Sequence, residues 1–278
     1  MRPKPGVPRE DDGYMLGHRP DELRRLGFQA RLIDPITRRF LVAAGVVPGM
    51  RVLDVGSGAG DVSFLAADIV GDGGSVTGVD RSADAIATAT AAAAARALTN
   101  VSFVLSDLDA LTVAQPFDAI IGRYVLEWLP DPARTLGALA RHARPGGVVV
   151  FHEVDWGGSA SHPPAPLFDA TCRWLSETIR RSGADIRGTN VHGTFRRAGL
   201  GTPTMRLEAL IGGGHDAEPI EQVANLAMTV ADAAEKYGVA SIPELDLETL
   251  RERLRAEAEA TDSVLIAHGE VGAWVRLP

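Results

Sequence analysis

Val52-Leu53-Asp54-Val55-Gly56-Ser57-Gly58-Ala59-Gly60 is the stretch that decides how the rest of the chain reads. Three apolar residues and an aspartate run into glycines at every second position, and an amphipathic run starts at Asp61. A strand entering a helix through such a turn brings backbone N–H groups and the helix N-terminus close to a ligand, because glycine has no Cβ to hold it off. The turn alone suits more than one kind of nucleotide, and spacing separates them. The dinucleotide fingerprint G-x-G-x-x-G needs its third glycine at position 61, but Asp61 stands there and the third glycine is Gly60. Asp54 lies two residues before the first glycine. An anion there repels a pyrophosphate and attracts the ammonium group of an amino-acid moiety.

Outward from this turn, strand and helix patterns alternate as in a parallel sheet. Strands are expected at Arg51 to Val55, Ser75 to Asp80, Val101 to Ser106, Phe117 to Gly122 and Val148 to Glu153, with helices at Asp61 to Val70, Ser82 to Leu98 and Pro132 to Ala143. Gly71 to Gly74 and Arg144 to Gly147 read as turns ahead of strands two and five. Gly157 to Pro166 reads as a loop, followed by helices near Leu167 to Ser182 and Thr189 to Ala198. A sixth strand, Met205 to Ile211, two helices (Glu218 to Tyr237, Leu247 to Ala260) and a last strand, Ser263 to Arg276, complete the chain. Before the sheet, Pro20-Asp21-Glu22 starts a helix that Pro35 is expected to interrupt, and a second run, Ile36 to Ala44, stops at Gly45.

The strand ends carry a second layer of signal. Val52 to Gly60 resembles motif I of the class I S-adenosylmethionine-dependent methyltransferases, and further matches run from about residue 49 to 156. Gly78-Val79-Asp80-Arg81-Ser82 ends strand two with an acid, which the resemblance assigns to the two ribose hydroxyls. Ser106-Asp107-Leu108 ends strand three; by the same resemblance Asp107 accepts from the adenine amino group and Leu108 donates through its backbone. Phe117 to Pro132 is similar to the family's motif IV, and Ala143-Arg144-Pro145-Gly146-Gly147 stands where Leu-Arg-Pro-Gly-Gly is usual. Taken singly, Asp80 or Asp107 is an ordinary helix cap; their joint placement at successive strand ends makes them a site. The resemblance implies a doubly wound, mostly parallel, seven-stranded Rossmann-like α/β sheet with N-terminal helices and a helical insertion between strands six and seven. It divides the chain into a leader and helical lid at 1–48 and a main domain at 49–278, with the insertion at about 216–262. The implied cofactor is S-adenosyl-L-methionine, leaving S-adenosyl-L-homocysteine, held by Tyr14, Asp54, Gly56, Ser57, Gly58, Gly60, Asp80, Arg81, Asp107, Leu108 and Arg123.

Methyl transfer from a sulfonium is an in-line displacement, so positioning and a dry site supply much of the rate. A hydroxyl acceptor also needs a base. His152, Glu153 and Asp155 at the end of strand five, and His215 after the glycines ending strand six, are the candidates, although strand-end polar groups often only satisfy loop backbone. His142 reads as a helix C-terminal cation, and His268 has nothing to recommend it beyond its type. Aromatic residues are 5% of the chain, so Tyr124, Trp128 and Trp156 are notable as walls for a flat substrate, Trp128 equally as core; Tyr14 is expected to close over the methionyl end.

Composition bounds the function. A chain of 278 residues with 45% hydrophobic and 23% charged residues is globular, and its net charge of −8 disfavours a nucleic-acid partner. The single cysteine, Cys172, reads as a buried thiol in a reducing compartment. No stretch reaches the roughly 20 apolar residues of a membrane span, the N-terminus lacks a signal-peptide core, and a cytoplasmic location is expected. Without a cluster of metal ligands, a metal-dependent mechanism is disfavoured. The reading is thus methyl transfer to a small molecule, at oxygen rather than nitrogen or carbon. The alternative is a cyclase or rearrangement enzyme that keeps its cofactor unconsumed; a binding module and a nicotinamide oxidoreductase rank below it.

Overall fold

β1 (Arg51–Val55) is the pivot of the sheet, pairing in parallel with both β2 (Ser75–Asp80) and β4 (Phe117–Arg123). β3 (Val101–Leu105) extends the sheet beyond β2, and β5 (Ala143–Asp155) extends it beyond β4. The order β3-β2-β1-β4-β5 reverses between β1 and β4, which opens a crevice at the carboxyl ends of those strands. The computed structural model describes residues 20–184, 187–241 and 246–278, with side chains from Leu32 onward. The expected leader and lid residues 1–19, Tyr14 included, lie outside the described residues.

Residues alternate cleanly across the sheet. Leu53, Val55, Ile120, Val149 and Phe151 pack on one face with Leu136 and Leu139 of α4 (Pro132–Ala140) and Phe195 of α6 (Val191–Arg197). Val52, Ile121, Val148 and Val150 pack on the other with Leu41 of α1 (Pro20–Ala44) and Val62, Ala66 and Val70 of α2 (Asp61–Val70). Period-2 burial on both faces is what a covered parallel sheet requires. α3 (Ala83–Ala95) follows β2, capped by Ser82 Oγ accepting from Ala85 N–H.

Four expectations are corrected. α1 runs through Pro35 without a break, although proline removes one helical hydrogen bond at a cost of about 3 kcal/mol. Ile33, Ile36 and Phe40 on either side of it are fully buried, and each such burial is worth roughly 1.5–3 kcal/mol, so packing overrides the break. The Arg144–Gly147 turn lies inside β5 as a bulge, with Phe117 opposite Ala143 and Ala119 opposite Val148. The sheet has eight strands, because β6 (Ala160–His162) forms within the expected loop. The last strand, β8 (Val264–Arg276), is antiparallel to β5 and overruns it; β6 pairs with the overhang from Val264 to Ile266, satisfying backbone groups left open there. β7 (Thr204–Gly213) pairs with the opposite edge of β8. Finally, α4 ends at Ala140, so His142 lies beyond the helix rather than in its last turn.

The insertion between β7 and β8 is helical as expected: α7 (Glu218–Lys236) and α8 (Leu247–Thr261). With α5 (Pro166–Ser182) they build a separate core around Phe168, Leu175, Ile220, Ala227, Leu250 and Leu254, joined to the sheet by Val154, Trp156 and Leu265. This second core caps the end of the sheet where β5 and β8 emerge. No described helix is long and apolar enough to cross a membrane.

Candidate active site at the carboxyl rim of the sheet

Gly56, Gly58 and Gly60 all adopt left-handed backbone, with φ of 64°, 52° and 96°. Their surroundings differ. A Cβ on Gly56 would lie 2.7 Å from Val125 Cγ2, whereas one on Gly58 would meet nothing within 4 Å. A side chain on Gly56 would thus run into Val125, although Gly56 itself is exposed, while one on Gly58 would point into open space. Gly58 N–H donates to Asp80 Oδ2 at 2.9 Å, and the other Asp80 oxygen accepts from Ser82 N–H at 2.9 Å. The Asp80 carbonyl accepts from Ser106 N–H, so the ends of β1, β2 and β3 are tied together by backbone and one carboxylate. Asp107 follows, exposed, its carboxylate capping no N–H, with Leu108 half-buried behind it; Arg81 is exposed. Ser57 Oγ is buried with no hydrogen-bond partner among the described residues.

These features fit an adenosyl group carrying an amino-acid tail. The space where a Gly58 Cβ would point is open, Ser57 carries a hydroxyl with no partner among the described residues, and carboxylates stand at the end of β2 and just past β3. Asp54 sits beneath the turn, fully buried, accepting from Ser63 Oγ of α2 at 2.6 Å. Burial pushes its carboxyl up to about 7, against the opposing effects of the Ser63 bond and the Arg123 charge.

Beyond Asp54, a row of polar side chains crosses β4, β5 and β8 under α1. Arg123 Nη1 donates to Asp34 Oδ1 at 2.8 Å and Thr37 Oγ1 at 3.1 Å, both on α1. Thr37 Oγ1 meets His152 Nδ1 at 3.0 Å, and His152 Nε2 meets Glu270 Oε2 at 2.7 Å. Tyr124 Oη donates to the same Glu270 oxygen at 2.8 Å. Burial lowers the His152 pKa, against the hydrogen bond and charge of Glu270, which raise it; Thr37 Oγ1, which also donates to the Ile33 carbonyl, stands at Nδ1 and the Glu270 carboxylate at Nε2. Burial would raise the Glu270 carboxyl, but the hydrogen bonds of His152 and His268 outweigh it and hold the group down at about 2.

On the far side of Glu270, Gln222 Nε2 lies 2.7 Å from His268 Nε2 and 3.5 Å from Glu270 Oε1. His268 is tilted against the Trp156 ring at 4.8 Å, and Trp156 Nε1 donates to Glu127 Oε2 at 3.0 Å. Trp156, Cys172, Leu175, Val223, Leu226 and His268 line a small cavity under α5 and α7. Burial and the neighbouring Glu153 charge push the Glu127 carboxyl well above its ordinary value. A cleft of about 440 Å³ lies at the other end of the sheet, lined by Gly45, Trp274 and Arg276, with no acid–base group beyond that arginine.

The four base candidates fare differently. His152 joins the rim network with both ring nitrogens engaged. Glu153 is spent on backbone, accepting from Val125, Leu126 and Glu127 N–H, and Asp155 accepts from Gly157 N–H and Thr189 Oγ1. Neither has the free carboxylate expected of it. His215 is half exposed and bonds Asp216 at 3.0 Å. It is off the rim: β7 ends opposite Val264, six residues before Glu270 on β8, which is roughly 20 Å at ~3.4 Å per residue. Of the aromatic candidates, Tyr124 stands at the rim in left-handed backbone, φ 58°, while Trp128 and Trp156 pack against the helical core. Sequence reading missed Thr37, Glu127, Gln222, His268 and Glu270. One signal was present: His268 and Glu270 are polar at alternate positions of an otherwise apolar strand, hence on one buried face.

Residues 47–199 match the family described as Methyltransferase domain. An aklanonic acid methyltransferase from Streptomyces sp. (strain C5) is 38% identical over 120 residues, covering 43% of this chain and 52% of that protein. An arsenite methyltransferase from Aquipseudomonas alcaligenes is 38% identical over 122 residues, covering 41% of this chain and 35% of that protein. The chain thus spans about half or less of the length of these curated relatives. In three dimensions it is similar to the [4+2]-cyclase SpnF, with a TM-score of 0.51 and 21% identity over 88% of this chain and 81% of that one, a likeness of fold.

Proposed function

The chain belongs to the class I S-adenosylmethionine-dependent methyltransferases, and from that premise we propose that it moves the cofactor's methyl group to a small organic molecule, at an oxygen atom. The observation that supports the cofactor part of this reading is the open space beside Gly58, bordered by Asp80 and the unpartnered Ser57 Oγ. When bound, the cofactor supplies an electrophilic methyl on a positively charged sulfur. Asp80 and Asp107 hold the nucleoside, the glycine turn holds the amino-acid end, and Tyr124 walls the rim toward the acceptor. α1 and the helices between β7 and β8 serve as covers that exclude water.

For a hydroxyl acceptor, the buried His268 is a candidate base, with the Glu270 carboxylate beside its Nε2 and the Trp156 ring against it. Turning over the Gln222 amide, whose Oε1 is buried without a partner, sets that oxygen on His268 Nε2–H and leaves Nδ1 free to take a proton. An organic acceptor suits the site better than a thiophilic metalloid: the single cysteine is buried and its thiol is pushed up to about 12. The net charge of −8 favours a metabolite over a nucleic acid.

Titration calorimetry with S-adenosylmethionine and S-adenosylhomocysteine tests the cofactor assignment. The wild-type chain binds both, and Asp80→Ala binds neither measurably. Unchanged affinity in the variant, or no binding by the wild type, overturns the reading. Turnover of an acceptor without formation of S-adenosylhomocysteine replaces transfer with a rearrangement.

A further inference from the structure

β7 forms one margin of the sheet: among the described residues it pairs with β8 alone, and the outer side of its ten residues meets no strand. A long edge strand presents a row of backbone N–H and C=O groups to any second strand, and proteins that avoid such pairing shorten, bulge, charge or interrupt the edge. β7 lacks most of these devices. No proline or lysine lies within Thr204–Gly213. The register shift near Ala209 is a bulge on β8, since two steps along β7, Ala209 to Ile211, match three along β8, Gly269 to Ile266. β7 itself alternates regularly.

The two charges of the strand lie on the face toward α1. Glu208 accepts from Arg39 Nε through both oxygens, and Arg206 lies over the Trp274 ring at 5.7 Å. Leu210 packs there with Ile33, Ile36 and Phe40. Alternation turns the odd-numbered residues to the other face, where Leu207 and Ile211 are 60% and 62% exposed. Val264 of β8, directly opposite Gly213 and so on that same face, is exposed as well.

The pattern is its own complement. Leu207 and Ile211 stand two residues either side of Ala209. When two copies of β7 pair antiparallel about Ala209, each Leu207 comes directly opposite the other copy's Ile211 on one face. On the other face Arg206 meets Gly212 and Glu208 meets Leu210, so no like charges oppose. Parallel pairing in register sets Arg206 on Arg206 and Glu208 on Glu208. Pairing about Leu207 sets Arg206 against Glu208, but that carboxylate is already held by Arg39, and Ile211 is left uncovered. A contact of one patch with its own copy closes as a two-fold dimer.

We propose that this chain forms a two-fold homodimer in which β7 pairs antiparallel with β7 about Ala209, joining two sheets edge to edge. The dimer does not depend on the cofactor or acceptor assignments. Sedimentation velocity on the full chain, from about 1 μM to about 1 mM, reads the association. The wild type is a dimer at the upper end. Leu207→Lys and Ile211→Lys alter exposed positions, so both fold, and each raises the dissociation constant about tenfold or more because lysine blunts an edge. Single cysteines fix the register. Ala209→Cys sets two thiols across the two-fold axis, where opposite Cα atoms are about 4.5–5.5 Å apart, within the reach of a disulfide, so the dimer crosslinks on mild oxidation. Leu207→Cys alone does not crosslink, but it does when mixed with Ile211→Cys. The native Cys172 is buried and adds no background. A wild type that stays monomeric throughout overturns the inference. So does a dimer whose dissociation constant is unchanged by Leu207→Lys or by Ile211→Lys, or one that Ala209→Cys fails to bridge.

Discussion

Replacing Gly56 and Gly58 one at a time by alanine separates the two duties of the glycine turn. Both residues hold left-handed backbone, φ 64° and 52°, so either substitution carries a strain of roughly 1–2 kcal/mol. At Gly58 that is the whole stability cost, because the added Cβ meets nothing within 4 Å. At Gly56 the Cβ would stand 2.7 Å from Val125 Cγ2, and overpacking a buried contact adds about 1–3 kcal/mol. Gly56→Ala should therefore cost roughly 2–5 kcal/mol and Gly58→Ala about 1–2. In a Val125→Ala background the side-chain clash is gone, and Gly56→Ala should fall back to the strain alone, a coupling of about 1–3 kcal/mol. Cofactor affinity should move the other way. The methyl added at Gly58 projects into the space where a ligand must approach, so its loss of affinity is the larger relative to its loss of stability. Urea denaturation gives the stabilities, and S-adenosylhomocysteine calorimetry gives the affinities. Gly58→Ala as destabilised as Gly56→Ala, or one that binds cofactor like wild type, refutes the division of labour.

Asp54 predicts a pH slope. Its carboxyl is held up to about 7 when folded and returns to about 3.8 when unfolded, so between these values the folded chain binds a proton that the unfolded chain has released. Stability from this group is then full below about pH 4 and is lost as pH rises toward 7, on the order of a few kcal/mol; Asp54→Asn should flatten that part of the slope in urea titrations at about pH 5 and about pH 8. An identical slope in the variant removes Asp54 as its source. Cys172, buried with its thiol pushed up to about 12, should resist Ellman's reagent in the native chain and react at once in urea; rapid native modification contradicts the packing of α5.

The parts of this protein legible in the sequence are those whose cause is local. The glycine turn announces itself because backbone with positive φ admits few residues but glycine, and it does so within five positions, Gly56 to Gly60. β1, β2 and α2 were expected at the bounds they occupy, since alternation and turn residues act over a few neighbours. Asp80 and Asp107 stand out in the sequence because each is expected at a strand end, and parallel strands put their ends on one rim.

What the tertiary structure alone decided is held together by contacts distant in the chain. Pro35 stays within a helix because Phe40 packs against Gly272, where a Cβ would lie 2.5 Å from Phe40 Cγ. β6 exists because β8 overruns β5 and leaves an edge to pair. His152 was visible as a strand-end histidine, but its partner Glu270 stands 118 positions away, and Tyr124 reaches the same carboxylate across 146. Alternation puts Glu270 on the same face of the strand as His268, but says nothing of its partners until β8 is inserted antiparallel beside β5. Only then does its side chain turn inward beneath α1, out of reach of water. Local sequence determines the glycine turn; the order of the strands determines which charges stand beside it.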